Sequence, residues 1–108
     1  MTSPMERLQE KLTKEVLWIY ILSLLKERPM YAYELKNKIK EKFGFEPATV
    51  SSYVVLYKLE KEGYVTAEWQ ESETGKPSRK YYALTEKGGK LLKEGTDFIE
   101  NMVEKLKS

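Results

Sequence analysis

Thr49, Ser51 and Ser52 put three hydroxyl groups into four consecutive positions just after Pro47 and Ala48. Small hydroxylated side chains at a helix start either cap it or lie close against another molecule and hydrogen-bond to its polar edges. A DNA major groove, about 12 Å wide, admits such a helix. Just upstream, Lys36, Lys38, Lys40 and Lys42 set four positive charges against the single acid Glu41 between Leu35 and Phe45. That local excess of +3 is larger than the +2 of the whole 108-residue chain. A lysine run on a short helix is a solvated face or an attraction for phosphate. Other chemistry is scarce. The chain has no cysteine and no histidine, which removes disulfides, thiolate nucleophiles, Ser/His and Cys/His pairs and most transition-metal sites. Glu71 and Glu73 fall in a turn-rich stretch with no third ligand in view, a poor basis for metal-dependent hydrolysis. The expectation is a binding protein, not an enzyme, with no cofactor and no metal.

The hydroxyl cluster opens a segment, PATVSSYVVLYKLEKEG, that reads as a helix from Pro47 to Gly63. Proline suits a first helical position, and glycine suits the position just past the end. Tyr53, Leu56 and Leu59 recur at three-residue spacing with Val50 beside them, one stripe for a core, so Tyr53 is assigned to packing. Before it, Leu35, Ile39 and Phe43 line a shorter helix that begins near Tyr31 and is stopped by Gly44. Tyr33 lies in the first turn of that helix and is free to point to either face. Two short helices joined by Gly44-Phe45-Glu46 make a helix-turn-helix pattern.

A hairpin follows. Tyr64 to Gln70 alternates as a half-buried strand does, with Val65, Ala67 and Trp69 on the inward side and Thr66, Glu68 and Gln70 on the other. Residues 71–78 are turn-rich, and Arg79 to Leu84 reads as a second strand with Tyr82 and Leu84 inward. Lys76, Arg79 and Lys80 make the returning arm basic. A helix-turn-helix followed by a basic hairpin is the winged-helix pattern.

Long helices flank this unit. Ser3, Pro4 and Glu6 form a capping box. Leu8, Leu12, Val16, Ile19 and Tyr20 then continue at helical spacing, with Thr13 a candidate break. Residues 17–25 are apolar nearly all round. The segment is therefore either the central core helix or one whose Leu8/Leu12 end and Trp18 face a second subunit. Thr85 caps a last helix running to about Lys107, with Leu91, Leu92, Phe98, Ile99, Met102, Val103 and Leu106 in a broad stripe. Leu92, Ile99 and Leu106 are seven apart, the spacing of a seam for another helix. Gly95 in mid-helix costs about 1 kcal/mol relative to alanine, which close approach of a neighbouring helix would offset.

With 41% hydrophobic and 33% charged residues, the chain should fold as one compact unit. Within it, 1–84 reads as the DNA-binding winged helix-turn-helix including the N-terminal helix, and 85–108 as a dimerisation helix. The fold class is mainly α with a small β-hairpin. No segment approaches the 18 or so uninterrupted apolar residues of a membrane span, and no secretory leader pattern is present, so a cytoplasmic protein is expected.

The chain resembles the PadR family of winged-helix transcriptional regulators, in its short form with one helix after the wing. The resemblance rests on Pro29-Met30-Tyr31-Ala32-Tyr33-Glu34-Leu35, on Tyr53 with Leu56, Leu59, Glu60 and Gly63, and on GKPSRKYYALT from Gly75 to Thr85, followed by Gly88. Ala32 stands where the family usually has glycine, and Ser51-Ser52-Tyr53-Val54 where it usually has Thr-Leu-Tyr-Pro, which leaves the preferred DNA sequence open. The resemblance implies a homodimer whose last helix packs on the first helix of the other subunit, repression of transcription, and a small aromatic or drug-like effector. Some drug-sensing relatives stack flat ligands on a tryptophan of the last helix. Ile99 beside Phe98 occupies that position here, which points to an aliphatic pocket or to no ligand.

The resulting DNA-facing set is Tyr33, Lys36, Lys40, Thr49, Ser51, Ser52, Lys76, Arg79 and Lys80. The dimer-facing set is Leu8, Leu12, Trp18, Leu91, Leu92, Phe98, Ile99, Met102 and Leu106. The expected partners are double-stranded DNA, a second copy of the chain and a small-molecule effector, with no membrane. A winged-helix ligand-binding or protein-interaction module without specific DNA recognition is the alternative, distinguished by weak salt dependence and no sequence preference.

Overall fold

The Ser3 hydroxyl accepts a hydrogen bond from the Glu6 backbone amide at 3.1 Å and starts α1 (Pro4–Leu12), as the capping box predicts. In this computed structural model, which describes residues 2–71 and 77–108, α1 does not continue into one long helix. Thr13 breaks the path: its backbone leaves the helical region, and its hydroxyl donates to the Gln9 carbonyl at 2.6 Å. A 3₁₀ turn (Lys14–Val16) leads into α2 (Leu17–Leu25). The Tyr20 hydroxyl donates to the Leu12 carbonyl left free at the break.

Helix α2 is the axis of the core. Leu17, Ile19, Ile21, Leu22, Leu24 and Leu25 are all buried, which explains why this stretch is apolar on nearly every face. Helices α3 (Ala32–Phe43), α4 (Thr49–Lys61) and α5 (Glu86–Lys107) each pack against it. Leu35 and Ile39 supply the buried line of α3, and Leu56 and Leu59 that of α4. Tyr20 meets Phe43 and Phe45 edge-on, each with ring centroids 4.9 Å apart, and so clamps the turn between α3 and α4. Gly44 takes φ +79°, the left-handed conformation that ends α3.

The hairpin expected from the sequence is joined by a third strand. Met30–Tyr31 forms β1, so the sheet runs β1-β3-β2 with β2 (Val65–Gln70) and β3 (Arg79–Leu84), all antiparallel. Met30 opposes Tyr82, and Val65 opposes Leu84 through to Gln70 opposing Arg79. The helix placed near Tyr31 therefore begins one residue later, because Tyr31 pairs with β3. Burial on β2 fades outward: Val65 is buried, Ala67 half-buried, and Trp69, expected to face inward, is 69% exposed. The strands outrun the core, so alternation persists while burial does not.

Thr85 caps α5 by accepting from the Gly88 amide at 3.0 Å, and its own hydroxyl lies 2.7 Å from the Gly63 carbonyl. Lys87 adds a bond to the Glu62 carbonyl at 2.6 Å. The start of α5 is thus fastened to the end of α4. Gly95 sits so close to α2 that a Cβ there would lie 2.9 Å from both Ile19 and Trp18 side-chain atoms. The neighbouring helix that justifies this glycine belongs to the same chain. Beyond it α5 runs on, and the molecule measures 56 × 34 × 22 Å.

Candidate nucleic-acid interface

Helix α4 begins at Thr49, two residues later than its proline suggested. Ala48 is the N-cap in an extended conformation, and Pro47 is buried in the preceding turn. This phase decides which side chains reach solvent. Ser52 is only 7% exposed, and its hydroxyl donates to the Ala48 carbonyl at 3.0 Å. It therefore leaves the DNA-facing set. Ser52, Leu56 and Leu59 stand at i, i+4 and i+7, and the small serine lets α4 lie close to α2 and α3. Tyr53 moves the other way: assigned to the core on its spacing with Leu56, it is 54% exposed. Val50, placed beside the same stripe, is exposed as well.

At about 100° per residue, Val50, Val54, Tyr57 and Lys61 fall within about 60° of one another, opposite Ser52 and Leu59. All four are exposed. This outward line is what the sequence reading missed. Its i, i+4, i+7 spacing is visible in the sequence, but α4 is apolar on several faces, so periodicity marks two stripes without saying which is buried.

Of the predicted cations, Lys36, Lys40, Arg79 and Lys80 gather around α4, each held by a neighbour. The Lys36 ammonium donates to the Thr49 hydroxyl at 2.9 Å, and Glu46 lies 3.8 Å from Lys36 and 3.7 Å from Lys40. Lys80 pairs with Glu60 at 3.2 Å, so β3 is tied to the far end of α4. Arg79 stacks over the Tyr31 ring, 4.5 Å from its centroid. Surface pairs of this kind are worth about 0–1 kcal/mol, so they orient the cations without withholding them from a phosphate. Lys76 lies outside the described residues. Ser51 is exposed at the edge of a cleft shared with Lys14, Lys36 and Glu46.

On the other flank of α4, Tyr33, Tyr53, Trp69, Ser78, Arg79 and Lys80 line a cleft of about 430 Å³ between the helix and the sheet. Each offers a hydrogen-bond donor, and no carboxylate lines the cleft among the described residues. Tyr33 thus faces the wing side together with Tyr53 and Trp69, two aromatics that inward-facing patterns had claimed for the core.

Of the nine dimer-facing residues, Leu92 is 8% exposed and belongs to the core of its own chain, so it is withdrawn. Leu91 and Trp18 are partly buried against that same core. Leu8 and Leu12 on α1, and Phe98, Ile99, Met102 and Leu106 on the distal half of α5, are exposed. Met5 and Val103 share that exposure.

Among the described residues, no group of three or more potential ligands could hold a metal, and no helix is long and apolar enough to cross a membrane.

A helix-turn-helix followed by a hairpin, with cations on both, defines a winged-helix protein of the nucleic-acid-binding class. Residues 21–94 match the transcriptional regulator PadR-like family, and the chain belongs to it. The family is one of transcriptional regulators, not of enzymes. Among solved structures, a PadR-like transcription factor from Bacteroides fragilis is 31% identical with a TM-score of 0.78, over 94% of this chain and 96% of that one. A PadR family regulator from Eggerthella lenta is 25% identical with a TM-score of 0.83, over 94% and 88% of the two chains. Bacillus subtilis PadR in complex with operator DNA is 30% identical with a TM-score of 0.69, and the match covers 75% of this chain and 47% of that one. No curated protein matches the chain.

Proposed function

We propose that this regulator is a sequence-specific double-stranded DNA-binding repressor that acts as a homodimer. Two copies of α4 enter successive major grooves, with half-sites about 34–36 Å apart. The observation that carries the reading is the exposed outward face of α4, flanked by Lys36 and Lys40 on one side and by Arg79 and Lys80 on the other. The cations supply sequence-independent attraction to phosphate, while Thr49, Ser51 and the outward line approach base edges. The operator complex of the Bacillus subtilis relative supports the same assignment by similarity.

Dimerisation is supported by the apolar surface on the two projecting helices. No residue of α1 is buried, although Met5, Leu8 and Leu12 are apolar, and Phe98 to Leu106 leaves a comparable stripe bare on α5. Contiguous apolar surface of this kind marks an interaction site, and in the proposed dimer the stripe of α5 covers that of α1 on the partner across a two-fold axis. Release from DNA by a small hydrophobic or aromatic effector completes the proposal. The residues beside Ile99 and Phe98 in the dimer seam are the site proposed for it.

The test is selection of bound fragments from the source genome, followed by titration of the best fragment at several salt concentrations. An enriched inverted repeat with one-turn half-site spacing and a steep salt slope is the expected result. Weak binding without an enriched sequence would favour a winged-helix interaction module instead.

A further inference from the structure

The outermost surface of the N-terminal half of α4 is aliphatic. Val50 is 76% exposed and Val54 is 48% exposed, and the two lie on the line opposite the buried Ser52 and Leu59. Exposed valines at the pole of a helix are poorly matched to water, and no described residue covers them. The major groove offers one apolar feature to such a side chain, the 5-methyl group of thymine. Its other base-edge groups are hydrogen-bond donors and acceptors, which valine cannot engage.

The spacing fits as well. Residues four apart on a helix are separated by about 6 Å along its axis, close to the roughly 7 Å of two base-pair steps. Valine is branched at Cβ and stiff, so its methyl groups are held in place before contact. Exposed Lys58 and Lys61 continue the same helix toward its C-terminal end, and neither has an ion-pair partner among the described residues. An apolar N-terminal half with cations behind it is the arrangement expected of a helix lying in the groove with its N-terminal residues against the base edges, and it is unlike a protein–protein seam, whose centre is depleted of charge.

We infer that Val50 and Val54 read thymine methyl groups about two base pairs apart in each half-site, and that this contact sets much of the sequence preference. The inference rests on the DNA-binding function proposed above. It assigns base-reading to valines where the hydroxyl cluster drew attention to serines.

The test uses the full chain and the preferred fragment selected from random duplex DNA, with each thymine replaced in turn by deoxyuridine. That substitution removes only the 5-methyl group and leaves base pairing and phosphates intact. The expected result is about fourfold weaker binding at each of one or two thymines per half-site, the worth of one buried methyl, with an unchanged salt slope. Val54→Ala and Val50→Ala, both at exposed positions that should not impair folding, are then compared on the two DNAs. Each variant should lose sensitivity to one deoxyuridine position and keep the other. Specific binding that survives complete deoxyuridine substitution would overturn the methyl contact while leaving the DNA-binding function standing. Absence of any preferred sequence would overturn both.

Discussion

Lys36 donates to the hydroxyl of Thr49 at 2.9 Å, so the middle of α3 is tied to the first turn of α4. Both residues were candidates for DNA contact, and the bond gives them a structural role before any DNA arrives. Lys36→Met or Thr49→Val should each lower stability by about 1 kcal/mol. The double substitution should cost less than the two together, because either one already breaks the bond. Urea unfolding of the four proteins checks this.

Gly88 and Gly89 are adjacent in α5 yet should respond oppositely to alanine. A Cβ at Gly88 would lie 2.1 Å from the Tyr64 carbonyl oxygen, a backbone atom that cannot move aside. At Gly89 it would meet only a Leu84 methyl at 3.9 Å, an ordinary contact. Gly88→Ala should destabilise by about 3 kcal/mol or more, whereas Gly89→Ala should stabilise by up to about 1 kcal/mol through helix propensity. Thermal unfolding of both variants gives the signs directly.

Ile99 and Leu106 lie one heptad apart on the exposed stripe of α5. Replacing either with glutamate should leave the fold intact and break the proposed dimer. Light scattering should then report the 12.7 kDa of one chain instead of twice that mass. Binding to a full inverted repeat should fall much further than binding to a single half-site.

Ser51 and Ser52 separate by phase. Ser52→Ala removes a hydroxyl that donates to the Ala48 carbonyl and should leave DNA preference unchanged. Ser51→Ala, at an exposed position, should relax the preference at one position of the half-site by about fivefold, the worth of one hydrogen bond. Selection from random duplex DNA with each variant distinguishes them.

Burial pushes the Tyr20 and Tyr82 phenols above the usual tyrosine value. In the unfolded chain they lose their protons near pH 10, before the folded protein does. Between those two values the folded state holds more protons, so stability falls as pH rises. The contribution is fully present below about pH 10 and is lost through the folded value above it. Tyr82→Phe should flatten the alkaline end of the stability curve, measured by urea unfolding from pH 8 to 11.

Much was legible in the sequence because it is carried by local chemistry. The Ser3 and Thr85 caps, the stop at Gly44, the basic hairpin and the break at Thr13 each follow from what a few neighbouring residues can do with their own backbone. The order helix, turn, helix, hairpin follows from those marks, and with it the winged-helix class.

Which stripe of α4 is buried was not decided locally. Tyr53 with Leu56, and Val50 with Val54, are equally good helical repeats. Only the packing of α4 on α2 and α3 selects Ser52, Leu56 and Leu59 for the inside and turns the valines outward. Trp69 alternates correctly along β2 but lies where the strand has outrun the core, and only the position of the helices sets that limit. Leu92 and Ile99 are one heptad apart on the same stripe of α5. Contact with α2 buries the first, and the end of that contact leaves the second bare. Residue type and spacing therefore determined the elements and their order. Burial, which depends on where other elements stop, determined which residues remain free to meet DNA or a second subunit.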